Sequence, residues 1–246
     1  MNTTQEMLDF TRSYLDDGSQ ALVDGDSDIL WDDALLLTFM TEAQRQLARA
    51  AWCIKEEGVS PAGRLVLATG KAVYDLHPSV LRVELATPSD MENPLFRTSD
   101  AVLRGAARDP DLPYDLNDTG TTASGRPLAI ATDAGTRQVR IFRTPSAAEN
   151  GLVVNLKIAR LPLVALSVDA LEARPETPED YDFAICIYAA GRALTQPNVD
   201  GQQRTIGRDL LVEFNDALRD ARRDRQRAEM EPARWGFASS TALADR

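Results

Sequence analysis

Histidine and lysine are nearly missing from this chain and cysteine is scarce: one His, three Lys and two Cys among 246 residues. A lone His77 with the distant Cys53 and Cys186 cannot supply the four ligands of a structural zinc site. His77 precedes Pro78 in a turn, where a structural role is expected. The cysteines fall in apolar helical stretches far apart in sequence, which predicts buried free thiols and a reducing compartment rather than a disulfide. No run of about 18 apolar residues occurs. Residues 1–17 carry acidic side chains instead of the apolar stretch of a leader, so a soluble chain without a membrane partner is expected. Aromatics number only 15 and are not interleaved with basic residues, which argues against a platform for stacking single-stranded bases.

Catalytic signatures are missing as well. Gly63 and Gly70-Lys71 resemble a phosphate loop only faintly, because six residues separate the glycines and Ala72 stands where a hydroxyl would hold magnesium. Asp24, Asp26 and Asp28 alternate like the start of a calcium loop, but Ile29 replaces the required glycine and Leu35 the closing glutamate, leaving a solvated acidic loop. No serine or cysteine sits in a nucleophile elbow, and no glycine-rich fingerprint follows a strand. The expectation is no enzyme, no cofactor and no metal.

What the chain does carry is acid. Its formal net charge is −11, and residues 1–33 hold nine carboxylates against Arg12 alone. Counterion release from nucleic acid needs clusters of unopposed cations, so a surface that grips DNA is not expected. Arginine outnumbers lysine 24 to 3, which favours rigid, bidentate ion pairs at contacts.

Hydrophobic periodicity divides the chain. Thr3 and Glu6 form a capping box for a short helix over residues 4–15 bearing Met7, Phe10 and Tyr14. Asp32 caps a long helix carrying Leu35, Leu36, Phe39, Met40, Ala43, Leu47, Ala50 and Ile54, which runs to Glu57 before Gly58 stops it. The period then becomes two. Strands are predicted at 65–68, 72–76, 80–85, 127–132 and 137–142, with Asp133-Ala134-Gly135 as a three-residue hairpin loop, and another strand after Asn150-Gly151. Residues 105–125, dense in Asp, Pro, Gly and Thr, read as a long loop.

Helix returns at Thr177-Pro178-Glu179-Asp180, where threonine caps and proline fits the first turn. Its stretch 183–190 is apolar nearly all round. A last helix from about Gln203 places Ile206, Leu210, Phe214, Leu218 and Ala221 on one stripe, after which Asp216–Arg219, Asp220–Arg223 and Asp224–Arg227 pair at spacing three. The predicted core packs Phe183, Ile187, Tyr188 and Leu194 against Phe39, Met40, Leu47 and Phe214. The fold class is therefore α+β, a helical bundle of N- and C-terminal helices with a β-rich insertion in the middle. Residues 1–62 and 174–231 form the bundle, 63–173 the insertion, and 232–246 a C-terminal docking tail.

The run Trp31-Asp32-Asp33-Ala34-Leu35-Leu36, followed by Thr41-Glu42-Ala43-Gln44-Arg45-Gln46-Leu47-Ala48, resembles the first long helix of tailed-bacteriophage head-to-tail adaptor, or tail-tubular, proteins. Three further matches keep the family's order. They are Tyr74-Asp75-Leu76 to Leu81-Arg82-Val83, Thr177-Pro178-Glu179-Asp180-Tyr181 running to Ala190-Gly191-Arg192-Ala193-Leu194, and Leu211-Val212-Glu213-Phe214. The resemblance spans most of the chain. It implies a virion protein at the head–tail junction, made in the host cytoplasm and assembled into a twelvefold ring that joins the portal to a tail, nozzle or terminator protein. DNA would pass through the ring without specific binding, a task that acidity suits because like charge lets the duplex slide.

Past Ala221 no apolar stripe holds the last helix, so residues 222–237 are the expected portal contact. Arg222, Arg223, Arg225 and Arg227 are forked donors for carboxylates on a facing subunit, with Trp235 and Phe237 as anchors. Two other readings fit the same residues: a cellular α+β enzyme working through dispersed acids, and a tail-completion or head-closure protein of the same channel.

Overall fold

A computed structural model describes residues 1, 3–15, 31–104, 123–197 and 199–235, with side chains described as far as Glu229 on the last helix. The acidic loop expected at 16–30, most of the loop expected at 105–125, and Phe237 lie outside the described residues. The chain forms two compact units: Met1–Ile54 with Pro162–Arg246, and Lys55–Leu161. Helices build the first and strands the second, so the fold is α+β, with the β-rich part inserted between N- and C-terminal helices.

In the helical unit, α1 (Thr4–Leu15) buries Met7, Leu8 and Leu15. Thr3 accepts a bond from the Glu6 amide at 3.2 Å, as a capping residue does. The second helix, α2 (Asp33–Ala51), has Asp32 at its N-cap position, but the Asp32 side chain makes no capping bond. Arg12 ties the two helices together, pairing with Asp33 and donating to the Trp31 carbonyl at 3.1 Å. The end of α2 corrects the expectation of helix as far as Glu57. Trp52 turns left-handed at φ +51°, its amide bonds Ala48 O at 3.0 Å, and Lys55–Glu57 is already a strand.

The third helix, α3 (Asp182–Leu194), starts later than its sequence signal. Thr177 is buried with its hydroxyl unpartnered instead of capping, and a single 3-10 turn, Glu179–Tyr181, leads into the helix. This later start overturns Phe183 as a core residue. It stands 44% exposed, its ring centroid 6.1 Å from that of the half-buried Phe10. Ile187, Tyr188 and Leu194 do join Phe39, Met40, Leu47 and Phe214 in one core.

The last helix, α4 (Gly201–Trp235), has 35 residues and so extends about 52 Å. Asp200 caps it by accepting from the amides of Gln202 and Gln203 at 2.8 and 2.9 Å. Its buried stripe is Gly207, Leu210, Phe214, Leu218 and Ala221, while Ile206, expected on that stripe, points outward. Gly207 explains the shift. A methyl there would lie 2.8 Å from Leu194 Cβ and one on Gly191 would lie 3.0 Å from Gly207 O, so α3 and α4 cross with their backbones nearly touching. A Cβ at Gly207 forces a shift of its neighbours, and one at Gly191 needs them to give by a few tenths of an ångström.

The β unit holds β1 (Lys55–Glu57), β2 (Arg64–Val66), β3 (Val73–Asp75), β4 (Val80–Pro88), β5 (Phe96–Thr98), β6 (Ala129–Gly135), β7 (Gln138–Phe142) and β8 (Val153–Arg160). In one four-stranded sheet β8 is central, with β1 and β2 along one edge and β4 along the other. The second sheet runs β3-β7-β6-β5, and only β5 with β6 is parallel. Val154, Leu156 and Ile158 alternate into the core, as the period-two pattern predicts. The β6–β7 turn falls at Thr136-Arg137 rather than at 133–135, because the register slips after Ala131 and β6 continues to pair at Gly135. Arg137 accordingly takes φ +57°. His77 fills the expected structural role: its Nδ1 lies 2.7 Å from the Ser79 hydroxyl and accepts from the Ser79 amide at 3.2 Å.

At the margin of the first sheet Arg160 donates to Glu56 at 2.6 Å, with side chains 11% and 8% exposed. Burial pushes the Glu56 carboxyl up, but bonds from the Ser60 hydroxyl and Arg160 outweigh it and hold the group below its ordinary value.

Candidate docking surfaces

Where α4 leaves its apolar stripe, Arg225 takes the next inward position, four residues beyond Ala221. Its guanidinium lies 4.1 Å from the Trp52 ring centroid, and Nη1 donates to Ala50 O at 3.0 Å. Two effects fix it there. The left-handed cap at Trp52 places the indole beneath the arginine for a cation–π contact, and the Ala50 carbonyl belongs to the last turn of α2, where the helix dipole favours a cation. The attachment of α4 therefore extends one turn further than its apolar residues alone would carry it.

Past Arg225 the described side chains, Gln226 to Glu229, are exposed, and the helix continues to Trp235. Arg223 and Arg227 pair with Asp220 and Asp224 at 3.1 and 3.4 Å, and Arg219 pairs with Asp216. Exposed pairs of this kind contribute only a few tenths of a kcal/mol each, enough to favour helix without anchoring it. The four arginines named from sequence thus stand differently. Arg225 is engaged within its own unit, Arg223 and Arg227 share their charge along the helix, and Arg222 is exposed with no ion pair among the described residues. Trp235 ends the described helix, its side chain not described, and Phe237 lies outside. The Arg225–Trp52 contact was missed from sequence because a charged helix position carries no sign of an aromatic partner 173 residues away.

A second surface runs beside α2. A groove of about 520 Å³ is bounded by Thr38, Glu42, Arg45 and Arg49 on one wall and by Ala165 and Leu166 on the other. Glu42 accepts from Arg192 at 2.9 Å, and Arg192 also donates to the Tyr188 hydroxyl at 2.8 Å, where Gln46 adds a bond of 3.0 Å. The Arg192 guanidinium lies 5.1 Å from the Phe39 ring centroid. Burial and the nearby Glu42 carboxylate push the Tyr188 phenol up. This network is a brace between α2 and α3: each polar group has a partner and none is poised for proton transfer.

Burial pushes the Cys53 and Cys186 thiols up to about 11 and about 12, which removes both as nucleophiles near neutral pH. Among the described residues no group of three or more His, Cys, Asp and Glu could hold a metal ion, and no helix is long and apolar enough to cross a membrane.

The model of the SU10 adaptor protein family matches residues 2–236, and the chain belongs to that family. It is a phage adaptor, with a structural role between head and tail, in agreement with the resemblance carried by Trp31-Asp32-Asp33 and the segments that follow it. No curated protein matches the chain.

Proposed function

We propose that the chain assembles as a twelvefold ring between the portal and a tail, nozzle or terminator protein, and that residues 222–237 make the portal contact. The observation that carries this reading is the continuation of α4 to Trp235, ten residues past Arg225 and beyond the last residue of its apolar stripe, Ala221. Exposed ion pairs of this kind contribute little, so a helix continued past its apolar stripe gains its main stabilisation from a partner. Arg222 supplies a forked donor for a carboxylate there, and Trp235 with Phe237 supplies the apolar anchors. DNA passes through the ring without specific binding, because the arginines of α4 are interleaved with Asp216, Asp220 and Asp224 and the subunit's net charge of −11 opposes phosphate. The subunit acts as a virion structural protein rather than as an enzyme.

A chain truncated after Arg227 keeps the Arg225–Trp52 anchor and removes both aromatics. It is expected to melt within a few degrees of the full chain and to fail to complete portal-bearing heads in an assembly assay. Completion of heads at full efficiency by a folded truncation would place the portal contact elsewhere on the subunit.

A further inference from the structure

The groove beside α2 lies outside the residues assigned to the portal contact, and its charge is unbalanced. Arg45 and Arg49 stand one helical turn apart, exposed, with no ion pair among the described residues. Glu42, at the right spacing to neutralise Arg45, is instead committed to Arg192 at 2.9 Å. Two guanidinium groups with no ion pair among the described residues, beside an apolar lip at Ala165 and Leu166, stand out on a subunit whose net charge is −11. We propose that this groove receives the acidic segment 16–28 of a neighbouring copy of the chain. The inference rests on the ring reading and names one contact between adjacent subunits within it.

Three features of the sequence fit that occupant. Residues 16–28 contain Asp16, Asp17, Asp24, Asp26 and Asp28 and no base. Bound in extended form, the alternating Asp24, Asp26 and Asp28 place their carboxylates on one side at intervals of about 6.8 Å. That interval matches the rise of about 6 Å between Arg45 and Arg49, so each guanidinium meets its own carboxylate in the bidentate geometry arginine favours. Ala21-Leu22-Val23, just ahead of the acids, is an apolar triplet suited to the Leu166 lip.

Chain reach favours a neighbour over the subunit's own segment. Arg12 holds the end of α1 against Trp31 and Asp33, so residues 16–30 leave and return at the N-terminal end of α2. Arg45 and Arg49 lie about 20 and 26 Å further along that helix. Two legs of seven or eight residues reach about 25 Å only when both are fully extended. Such a taut excursion puts residues 22 and 23 at its tip and brings Asp24 and Asp26 level with the two arginines only at full stretch. A segment arriving from the next copy has no such limit. In a closed ring one head-to-tail contact of this kind repeats at every interface.

The test uses a fluorescein-labelled peptide of residues 14–30, titrated by anisotropy into the full chain carrying D24N/D26N/D28N, which disables the chain's own segments. Saturable binding is expected that weakens at least tenfold between about 50 and 500 mM NaCl, as screening of an exposed ion-pair contact requires. Adding R45E/R49E should abolish it, and a peptide with lysine at positions 24, 26 and 28 should bind that reversed groove. Failure to bind, or equal binding with and without R45E/R49E, overturns the proposal. So does salt-steep duplex DNA binding that R45E/R49E removes, which would make the groove a phosphate site. If dilute, monomeric unmodified chain excludes the peptide while the triple-Asn chain accepts it, the segment docks in its own subunit and the neighbour contact is wrong. A failed peptide titration leaves a ring seen in particles untouched, and peptide capture without a ring in particles shows a pairwise contact without the assembly.

Discussion

Replacing Phe214 with alanine is expected to lower the free energy of unfolding by about 3–5 kcal/mol, while Phe183→Ala costs less than about 1 kcal/mol. Both are phenylalanines on amphipathic helices, and the difference lies in helical phase. Phe214 is 1% exposed on the α4 stripe, with its ring 4.6 Å from that of Tyr188, and it belongs to the core that joins α2, α3 and α4. Truncation leaves a cavity there because Gly191 and Gly207 already hold α3 and α4 at backbone contact, so the helices have no closer approach by which to fill it. Phe183 stands in the first turn of α3 against Phe10 at the surface. Urea unfolding of the two variants measures both costs. Equal losses would show that the face assigned to α3 is wrong.

The second large effect is expected at the edge of the β unit. Arg160→Ala should destabilise the protein by about 2–4 kcal/mol at pH 7, because it leaves the buried Glu56 carboxylate without its guanidinium partner, keeping the bond from the Ser60 hydroxyl. The lower part of the range for a buried pair applies, since Lys55 and Glu57 on the same strand are exposed and water reaches the sheet margin. The pH dependence has a definite sign. Glu56 is held below its ordinary value of 4.5, so the pair's contribution is fully present above that value and disappears as pH falls through the lower, folded-state value. The gap in urea midpoint between the unmodified chain and Arg160→Ala should therefore be widest at neutral pH and narrow below about pH 4.5. A gap that does not change on acidification would mean that Arg160 acts through packing rather than through charge.

Much of the architecture is written in hydrophobic period. The change from period 3.6 to period 2 after α2, and back again before α3, marks the β-rich insertion, and Val154, Leu156 and Ile158 show which face of β8 is buried. The errors share one cause: local signals that long-range contacts override. Thr177-Pro178 has the composition of a helix start, yet Thr177 is buried and the helix waits until Asp182, which turns Phe183 outward. Lys55-Glu56-Glu57 has no apolar alternation and reads as the end of a helix, while its pairing with Ala159, Ile158 and Lys157 makes it a strand. Phe96–Thr98 is too short to show a period and exists because β6 runs beside it. The continuation of α4 past its apolar stripe was legible in the sequence. The Arg225 contact with Trp52 was not, nor that Arg45 and Arg49 have no ion pair among the described residues, because sequence does not tell which arginines find partners.

Electron cryomicroscopy of purified virions shows where in the particle the chain sits. Density for this chain is expected as a ring between portal and tail, with the end of α4 against the portal and the DNA path through the centre. Purified virions that lack the chain, or that carry it away from the head–tail junction, would contradict this expectation.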